Sequence, residues 1–370
     1  MHEAHERLTS VLAAALRGDG ACPPACEWPA VLERAQHEGV LPLLSDAAIA
    51  ASWDPRVIAA MRPLVAAEAA LAIIRERELT PVLASLSARD VTPLLIKGAH
   101  LALTLYASPD RRPRVDTDLL IADRDRDAAD AALAACGYAR DVKVDGDVAF
   151  GQSQYSRIDR SGARHTIDLH WRIANPKAFC DRLTYADLRA DAIALPHLGA
   201  NVLVPSPVFA LLIACLHRTA HHGTCMRLIW LYDIHLLTQG LSEAEWEDVV
   251  TQAARRGLSA TVVAGVDAAA SMFGAWTPPE TIDRLRLDAA VTDADVQTFL
   301  DRHPAKIDVA LSDWKRLTDW PTRARFLREH LFPSPLYMRQ HYSTASHAVL
   351  PLLYAHRIVT GGVKWLRRVE

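Results

Sequence analysis

The stretch Arg114-Val115-Asp116-Thr117-Asp118-Leu119-Leu120-Ile121 holds two aspartates two positions apart, followed by an apolar run. The segment Val115–Ile121 is predicted to be a strand, in which alternate side chains share a face. Asp116 and Asp118 would then point the same way. Two neighbouring carboxylates repel each other unless a cation lies between them, and carboxylate oxygens suit Mg²⁺. The side chains expected on the opposite, core face are Val115, Thr117 and Leu119.

A second acidic strand is predicted further along the chain. Gln152–Ile158 and His165–Ile173 flank the turn Asp159-Arg160-Ser161-Gly162, a pattern typical of a β-hairpin. Alternation gives the second segment a core face with Ile167, Leu169 and Trp171. Asp168 lies on the other face and would supply a third carboxylate. The residues expected on that face are Thr166, Asp168, His170 and Arg172.

A junction of strand, glycine and helix precedes both acidic segments. Val91–Ile96 is a short apolar run and is predicted to be a buried strand, whereas Gly98–Tyr106 has helical spacing. A glycine at such a junction lets backbone N–H groups approach an anion at the start of the helix. Lys97 adds a positive charge beside it. Lys97 and Gly98 are therefore predicted to contact the phosphates of a nucleotide.

The rest of the chain is predicted to be mainly helical. Half of the 370 residues are hydrophobic and 6% are aromatic, a balance that favours helix over sheet. Pro81 is expected to break or kink a helix that starts near Pro63. The expected fold class is α+β, mostly helical, with a small mixed-sheet core. The expected divisions are a helical N-terminal region (1–90), the α/β core (91–205), a helical domain (206–330) and a C-terminal helical segment (331–370).

Charge and cysteine content narrow the class of protein. The net charge is −3, whereas a dedicated duplex-binding protein has a strong basic excess, so no extended nucleic-acid partner is expected. The six cysteines show no zinc-ribbon spacing and suit reduced thiols in a cytoplasmic protein. The N-terminus lacks a signal-peptide pattern. No transmembrane segment is expected, because the longest apolar runs, Val208–Leu216 and Val349–Ala355, are too short to cross a bilayer.

Several motifs together resemble a known family. Their order is similar to that in the poorly characterised bacterial nucleotidyltransferase family of the polymerase-β-like superfamily. The resemblance spans most of the chain and implies a minimal nucleotidyltransferase fold for residues 91–205. It implies that Asp116, Asp118 and Asp168 are the catalytic, metal-binding acids. The motifs that carry it are Lys97-Gly98, a loop with Arg111, Arg112 and Pro113, Asp116-x-Asp118, Ile167-Asp168-Leu169-His170-Trp171, His217, the Arg227–Asp233 segment and the turn Leu331-Phe332-Pro333-Ser334.

The resemblance implies a reaction as well as a fold. A nucleoside monophosphate would pass from an NTP to a hydroxyl of a small-molecule, peptide or protein acceptor, with release of pyrophosphate. Two Mg²⁺ ions, or Mn²⁺ in their place, would lie roughly 3.5–4 Å apart between the three carboxylates. Many superfamily members have a serine after the glycine, where this chain has Ala99, and Lys97 is expected to compensate. The residues expected to bind the nucleotide are Lys97, Gly98, Arg114, His170, Arg172, His217 and Arg227.

Structural roles are open for several of these residues. The alternative role of His170 and Arg172 is to pair with Asp168 or Asp116. The alternative role of His217 is to pack between helices. An ion pair between Arg227 and Asp233 is the structural alternative for that arginine.

Two other function classes also stay open. One is a nucleotide sensor or partner-binding protein that uses the same fold without turnover, and the other is a phosphotransferase that moves the γ-phosphate. The basic side chains near the C-terminus fit a solvated helix face, or a contact with an anionic membrane or RNA. They are Arg339, Arg357, Lys364, Arg367 and Arg368.

Overall fold

A seven-stranded mixed sheet forms the centre of the computed structural model, which describes residues 2–142, 148, 150–199, 201–222, 226–274, 276–291, 294–301, 305–344 and 346–366. The strands are β1 (Leu94–Ile96), β2 (Thr117–Leu120), β3 (Ala139–Arg140), β4 (Gln152–Ile158), β5 (Arg164–His170), β6 (Ile193–Ala194) and β7 (Leu203–Val204). Their order across the sheet is β3-β4-β5-β2-β1-β7-β6.

Helices account for most of the remaining chain, and the predicted α+β, mostly helical class is confirmed. The first seven are α1 (His2–Arg17), α2 (Trp28–Glu38), α3 (Leu41–Ala50), α4 (Pro55–Ser87), α5 (Lys97–Thr104), α6 (Arg126–Ala135) and α7 (Tyr185–Ala190). The next five are α8 (Pro207–His222), α9 (Leu228–Gly240), α10 (Glu243–Arg256), α11 (Ser259–Phe273) and α12 (Pro279–Ala289). The last five are α13 (Ala294–Asp301), α14 (Lys306–Arg316), α15 (Trp320–Leu331), α16 (Pro335–His341) and α17 (Leu350–Leu366).

Strand β2 lies between the two strands that bring the acidic residues together. It pairs antiparallel with β1, where Ile96 is opposite Asp118. It pairs parallel with β5, where Asp118 is opposite Asp168. Because partners in register point to the same face, the two aspartates lie side by side. The end of β1 delivers Lys97 next to the same position.

The two faces of the sheet pack against different helices. Leu95, Leu119 and Ile167 belong to a core shared with α4 and α6. Ile96 and Leu120 belong to a core shared with α8, α10 and α11. Asp118 lies two residues before Leu120 in the strand and therefore faces the α8 side.

The N-terminal helices pack against the later helical part of the chain. Leu12 of α1 and Leu44 of α3 share a core with Leu228 and Leu231 of α9 and with Phe273 of α11. These five side chains have at most 6% of their surface exposed. The N-terminal helices and α9 thus share one hydrophobic core.

The structure corrects three local predictions. Strand β2 starts at Thr117, so Val115 lies in a loop with 80% of its surface exposed rather than on the core face. Strand β5 ends at His170, and Trp171 is only partly buried beneath the guanidinium of Arg126. Helix α4 runs unbroken through Pro81, flanked by the buried Leu79 and Val82, because packing on the sheet outweighs the lost backbone hydrogen bond.

Helix α4 also bears on the expectation that no segment spans a membrane. Within the described residues it is the one helix that is long and apolar enough to do so, judged by length and composition alone. Helix α4 has 33 residues, more than either of the runs Val208–Leu216 and Val349–Ala355. In the structure α4 contacts α3 and α6.

Candidate active site

Asp118 is the centre of a buried polar cluster. Its Oδ1 accepts a hydrogen bond from Nζ of Lys97 at 2.7 Å and lies 2.8 Å from Nε2 of His170. His170 is fully buried. Burial alone would raise the pKa of Asp118, but the neighbouring Lys97 ammonium and His170 ring hold it well below its usual range. Asp118 is therefore ionised and holds a lysine as its counter-ion.

Asp168 completes a compact set of metal-binding groups. One ligand atom from each of Asp118, Asp168 and His170 lies within 4.8 Å of the other two. Gln154 on β4 lies opposite Asp168 and donates from Nε2 to its Oδ1 at 2.8 Å. Nδ1 of His170 is buried without a hydrogen-bond partner among the described residues. Two carboxylates and an imidazole form a donor set that fits one divalent cation.

Asp116 lies in the loop just before β2 and lines the same cleft, but outside this compact set. Burial raises its pKa to about 6, and the negative charges of Asp118 and Asp168 act in the same direction. The three predicted acids thus share one region of negative potential. The role of Asp116 as a metal ligand stays a prediction.

Gly98 serves a packing need that the sequence did not reveal. A Cβ atom at this position would lie 2.6 Å from Nη1 of Arg112, which is closer than carbon and nitrogen tolerate. The residue before it, Lys97, has a φ of 51°, in the left-handed region that non-glycine residues seldom adopt. This turn directs Lys97 to Asp118. The phosphate contacts predicted for Lys97 and Gly98 are untested, and both residues already have protein partners.

Arg112 joins the loop before β2 to helix α9. Its Nη2 and Nε donate to the two carboxylate oxygens of Asp233 at 2.6 and 3.2 Å, and Tyr106 donates from its hydroxyl at 2.7 Å. Arg112 and Asp233 are both buried. Asp233 therefore pairs with Arg112, and the alternative ion pair with Arg227 is not what the structure shows. Arg227 instead lies over the ring of Trp230, 5.1 Å from its centroid.

A cleft of about 720 Å³ opens between the acidic strands and the helices α4, α8 and α9. All three predicted acids line it, as do five of the seven residues expected to bind the nucleotide. Those five are Lys97, Gly98, Arg114, His217 and Arg227. His170 lies beneath it, in contact with Asp118. Arg172 does not line it, because β5 ends two residues earlier and Arg172 packs over Gly151.

One side of the cleft is formed by three histidines of α8 and a tryptophan of α9, namely His217, His221, His222 and Trp230. Nε2 of His222 lies 3.2 Å from Nε2 of His217, and the rings of His222 and Trp230 lie 4.0 Å apart. Burial lowers the pKa of His221 to about 3 and that of His222 to about 4, and the nearby Lys97 adds to both effects. These imidazoles are neutral near pH 7. These histidines therefore offer aromatic surface and hydrogen-bonding groups without adding charge.

Some residues that shape this site were missed at the level of sequence. Gln154 could have been found from the hairpin, because its turn sets the register against Asp168. Arg75, on α4, lines the cleft from a position far away in sequence and gave no signal. Of the basic C-terminal residues, Arg339 lies beside His347 and Arg357 beside Tyr337, whereas Arg367 and Arg368 fall outside the described residues.

Comparison with known proteins agrees with this architecture. A search of curated proteins found no match to the chain. A family model described as an uncharacterised nucleotidyltransferase matches residues 24–274. This span includes all seven strands and the helices that line the cleft. The chain belongs to this uncharacterised nucleotidyltransferase family.

Proposed function

We propose that this protein transfers a nucleoside monophosphate from an NTP to a hydroxyl group of a small-molecule, peptide or protein acceptor. The observation that carries the proposal is the pairing of Asp118 with Asp168 on adjacent parallel strands at the base of the cleft. The family match supports a nucleotidyltransferase in general terms. The near-neutral net charge favours a compact acceptor over a long polynucleotide.

Divalent cations belong to this proposal. Asp118, Asp168 and His170 would hold one ion, and Asp116 together with Asp118 would hold a second. The carboxylate oxygens suit Mg²⁺ and Mn²⁺. When bound, such ions neutralise charge on the phosphates and lower the pKa of the acceptor hydroxyl.

The reaction is an in-line displacement at the α-phosphorus. The acceptor oxygen forms a new bond to that atom, the bond from the α-phosphorus to the bridging oxygen breaks, and pyrophosphate leaves. The hydroxyl proton passes to the carboxylate of Asp168. Oδ1 of that carboxylate already accepts a hydrogen bond from Gln154, which leaves Oδ2 as the acceptor of the proton.

The side of the cleft formed by α8 and α9 is suited to hold the acceptor. His217 and His221 line the cleft, and each has a buried ring nitrogen without a hydrogen-bond partner among the described residues. Buried polar atoms without partners are costly, so a ligand that supplies a partner is favoured there. In the proposal these nitrogens orient an acceptor hydroxyl toward the α-phosphorus.

The proposal is tested with each of the four NTPs, Mg²⁺ and small-molecule or protein fractions from the native host, with pyrophosphate release as the readout. Asp168→Asn should reduce release by about 10²-fold or more, because the base and a metal ligand are both weakened. Asp127→Asn, at an exposed position on α6, is the matched control and should keep full activity. Background release with every NTP and fraction would overturn the enzymatic proposal.

Two other outcomes point to the remaining function classes. NTP binding in calorimetry without any turnover would indicate a nucleotide sensor on this fold. Release of a nucleoside diphosphate in place of pyrophosphate would indicate transfer of the γ-phosphate.

A further inference from the structure

We infer that Arg114 and Arg75 form the binding site for the terminal phosphates of the nucleotide. The inference rests on the proposed function and deepens it, because it assigns the phosphate tail to a pair of arginines rather than to Lys97 and Gly98. It also assigns to these arginines the pyrophosphate that is released.

The first line of support is the pairing of the arginines in the loop before β2. Arg111 pairs with Asp46 on α3 at 2.8 Å, and Arg112 pairs with Asp233 on α9. Arg114 lies two residues after Arg112, with only 7% of its surface exposed. Within the described part of the chain its guanidinium has neither a hydrogen-bond partner nor a carboxylate within 4.0 Å, and its Nε is completely buried. It is a buried cation whose nearest acidic influences, Asp116 and Glu76, lie beyond ion-pair distance.

The second line of support is the position of Arg75. It projects from α4 into the same cleft, and it too has no carboxylate within 4.0 Å in the described residues. Arg75, Arg114 and Asp116 line the same part of the cleft, so the charges of the two guanidiniums act on one another there. Two like charges facing a partly buried space are unfavourable until an anion binds between them.

The chemistry of the pair favours a polyphosphate. A guanidinium presents a planar fork of N–H donors that matches phosphate oxygens in bidentate fashion. Two such forks match the two terminal phosphates of a triphosphate. Arg114 lies two residues before Asp116, so the pair adjoins the acidic cluster at which the α-phosphorus would react.

Lys97 and Gly98 are poorly placed for the same task. The ammonium of Lys97 is engaged by Asp118 at 2.7 Å. The open side of Gly98 is filled by the guanidinium of Arg112, itself neutralised by Asp233. Arg75 and Arg114 thus remain as cations that line this part of the cleft without a carboxylate within 4.0 Å among the described residues, although Glu68 and Asp116 also line it.

Inorganic tripolyphosphate is the probe, because it has the phosphate tail without a nucleoside. Titration calorimetry in chelator-treated buffer makes the result independent of a cation at Asp118. Wild-type protein should bind it, and Arg75→Gln and Arg114→Gln should each weaken binding by about tenfold or more, the effect of about 1.4 kcal/mol of lost contact. Arg62→Gln removes an exposed arginine from the same helix and should bind like wild type.

Several outcomes would overturn the inference. If wild-type protein does not bind tripolyphosphate, or if both arginine variants bind it with wild-type affinity, the terminal phosphates bind elsewhere. Each NTP that binds should also compete with tripolyphosphate. Simultaneous binding of both would instead assign the arginines to an anionic group of the acceptor.

A second variant separates phosphate binding from a structural role of Arg114. Arg114→Met keeps the unbranched stem of the side chain and removes the charged guanidinium. Because the cation lacks a close counter-ion, the thermal midpoint in phosphate-free buffer should stay the same or rise. A clear fall of the midpoint would mark Arg114 as structural and contradict the inference. Tripolyphosphate binding without any nucleotide turnover would leave the inference standing and reject the proposed reaction.

Discussion

The Nζ atom of Lys97 lies 2.7 Å from Oδ1 of Asp118 and 3.3 Å from Nε2 of His170. The chain thus places its own cation beside two of the three groups that fit a divalent ion. A metal ion that binds Asp118 must share the carboxylate with this ammonium or displace it. Lys97 and the metal therefore compete for the same negative charge.

This competition predicts the effect of Lys97→Met on metal binding. Loss of the ammonium should tighten Mn²⁺ binding by about tenfold, corresponding to about 1.4 kcal/mol of removed repulsion. Titration of free Mn²⁺ by electron paramagnetic resonance measures this directly. Lys315→Met, at an exposed position on α14, is the control and should change nothing. Weaker Mn²⁺ binding by the Lys97 variant would show that the lysine supports the metal instead.

The close contact between Gly98 and Arg112 predicts a packing defect. Gly98→Ala should lower the free energy of unfolding by about 1–3 kcal/mol, although alanine favours helix, because the new Cβ displaces a buried, ion-paired guanidinium. Gly240→Ala is the matched control, since a Cβ at this helical position meets no atom within 4 Å. Urea denaturation measures the unfolding free energy of both variants. Equal unfolding free energies of Gly98→Ala and Gly240→Ala would show that Arg112 moves aside without a loss of stability.

The ion pair between Arg112 and Asp233 predicts a non-additive double mutant. Arg112→Met should destabilise the protein by about 3–5 kcal/mol, because it leaves Asp233 charged and buried. Adding Asp233→Asn removes that charge and keeps an acceptor for the hydroxyl of Tyr106. The double variant should therefore be more stable than Arg112→Met alone in chemical denaturation. If the loss of unfolding free energy in the double variant equalled the sum of the losses in Arg112→Met and Asp233→Asn, the two residues would not be coupled.

Short-range patterns predicted the acidic strands well. Alternation placed Asp168 and His170 on one face, and both belong to the compact set around Asp118. The hairpin segment Gln152–Ile158 was predicted with the bounds that β4 has. These features depend on neighbours in sequence, to which strand periodicity applies directly. Val115 was assigned to the core by the same rule, but the anchoring of Arg112 to Asp233 holds this part of the chain in a loop.

Long-range contacts account for what the sequence did not reveal. The partner of Lys97 follows from the antiparallel register of β1 and β2 and from a left-handed backbone turn. Arg112 and Asp233 are 121 positions apart. Arg75 enters the cleft from α4, which sequence periodicity placed in a separate helical region. Each contact depends on how whole elements pack, and no local pattern contains that information.

A buried acid on α14 predicts a pH dependence of stability. Burial raises the pKa of Asp313 from 3.8 to about 6. Between these two pH values, Asp313 is protonated in the folded protein and ionised in the unfolded chain. Asp313 therefore costs stability as pH rises from 3.8 to 6, and the cost is constant above that. Asp313→Asn keeps the hydrogen bond from the backbone N–H of Lys177 and avoids the cost. Its gain in unfolding free energy should grow to at most about 3 kcal/mol at pH 8 and vanish near pH 4.

Urea denaturation at pH 4, 6 and 8 measures this gain. Asp248→Asn, at an exposed position on α10, is the control and should show no such trend. A gain for Asp313→Asn that is the same at every pH would contradict the assignment.

The central claim is nucleotidyl transfer at Asp118 and Asp168, and the fate of labelled phosphate tests it most directly. Parallel reactions with α-labelled and γ-labelled NTP, Mg²⁺ and fractions of the native host should be resolved by chromatography. We expect the α-label to move to an acceptor and the γ-label to appear in pyrophosphate, and Asp168→Asn to reduce both by about 10²-fold or more. Label transfer from the γ-position with release of a nucleoside diphosphate, or transfer that persists in Asp168→Asn, would contradict it.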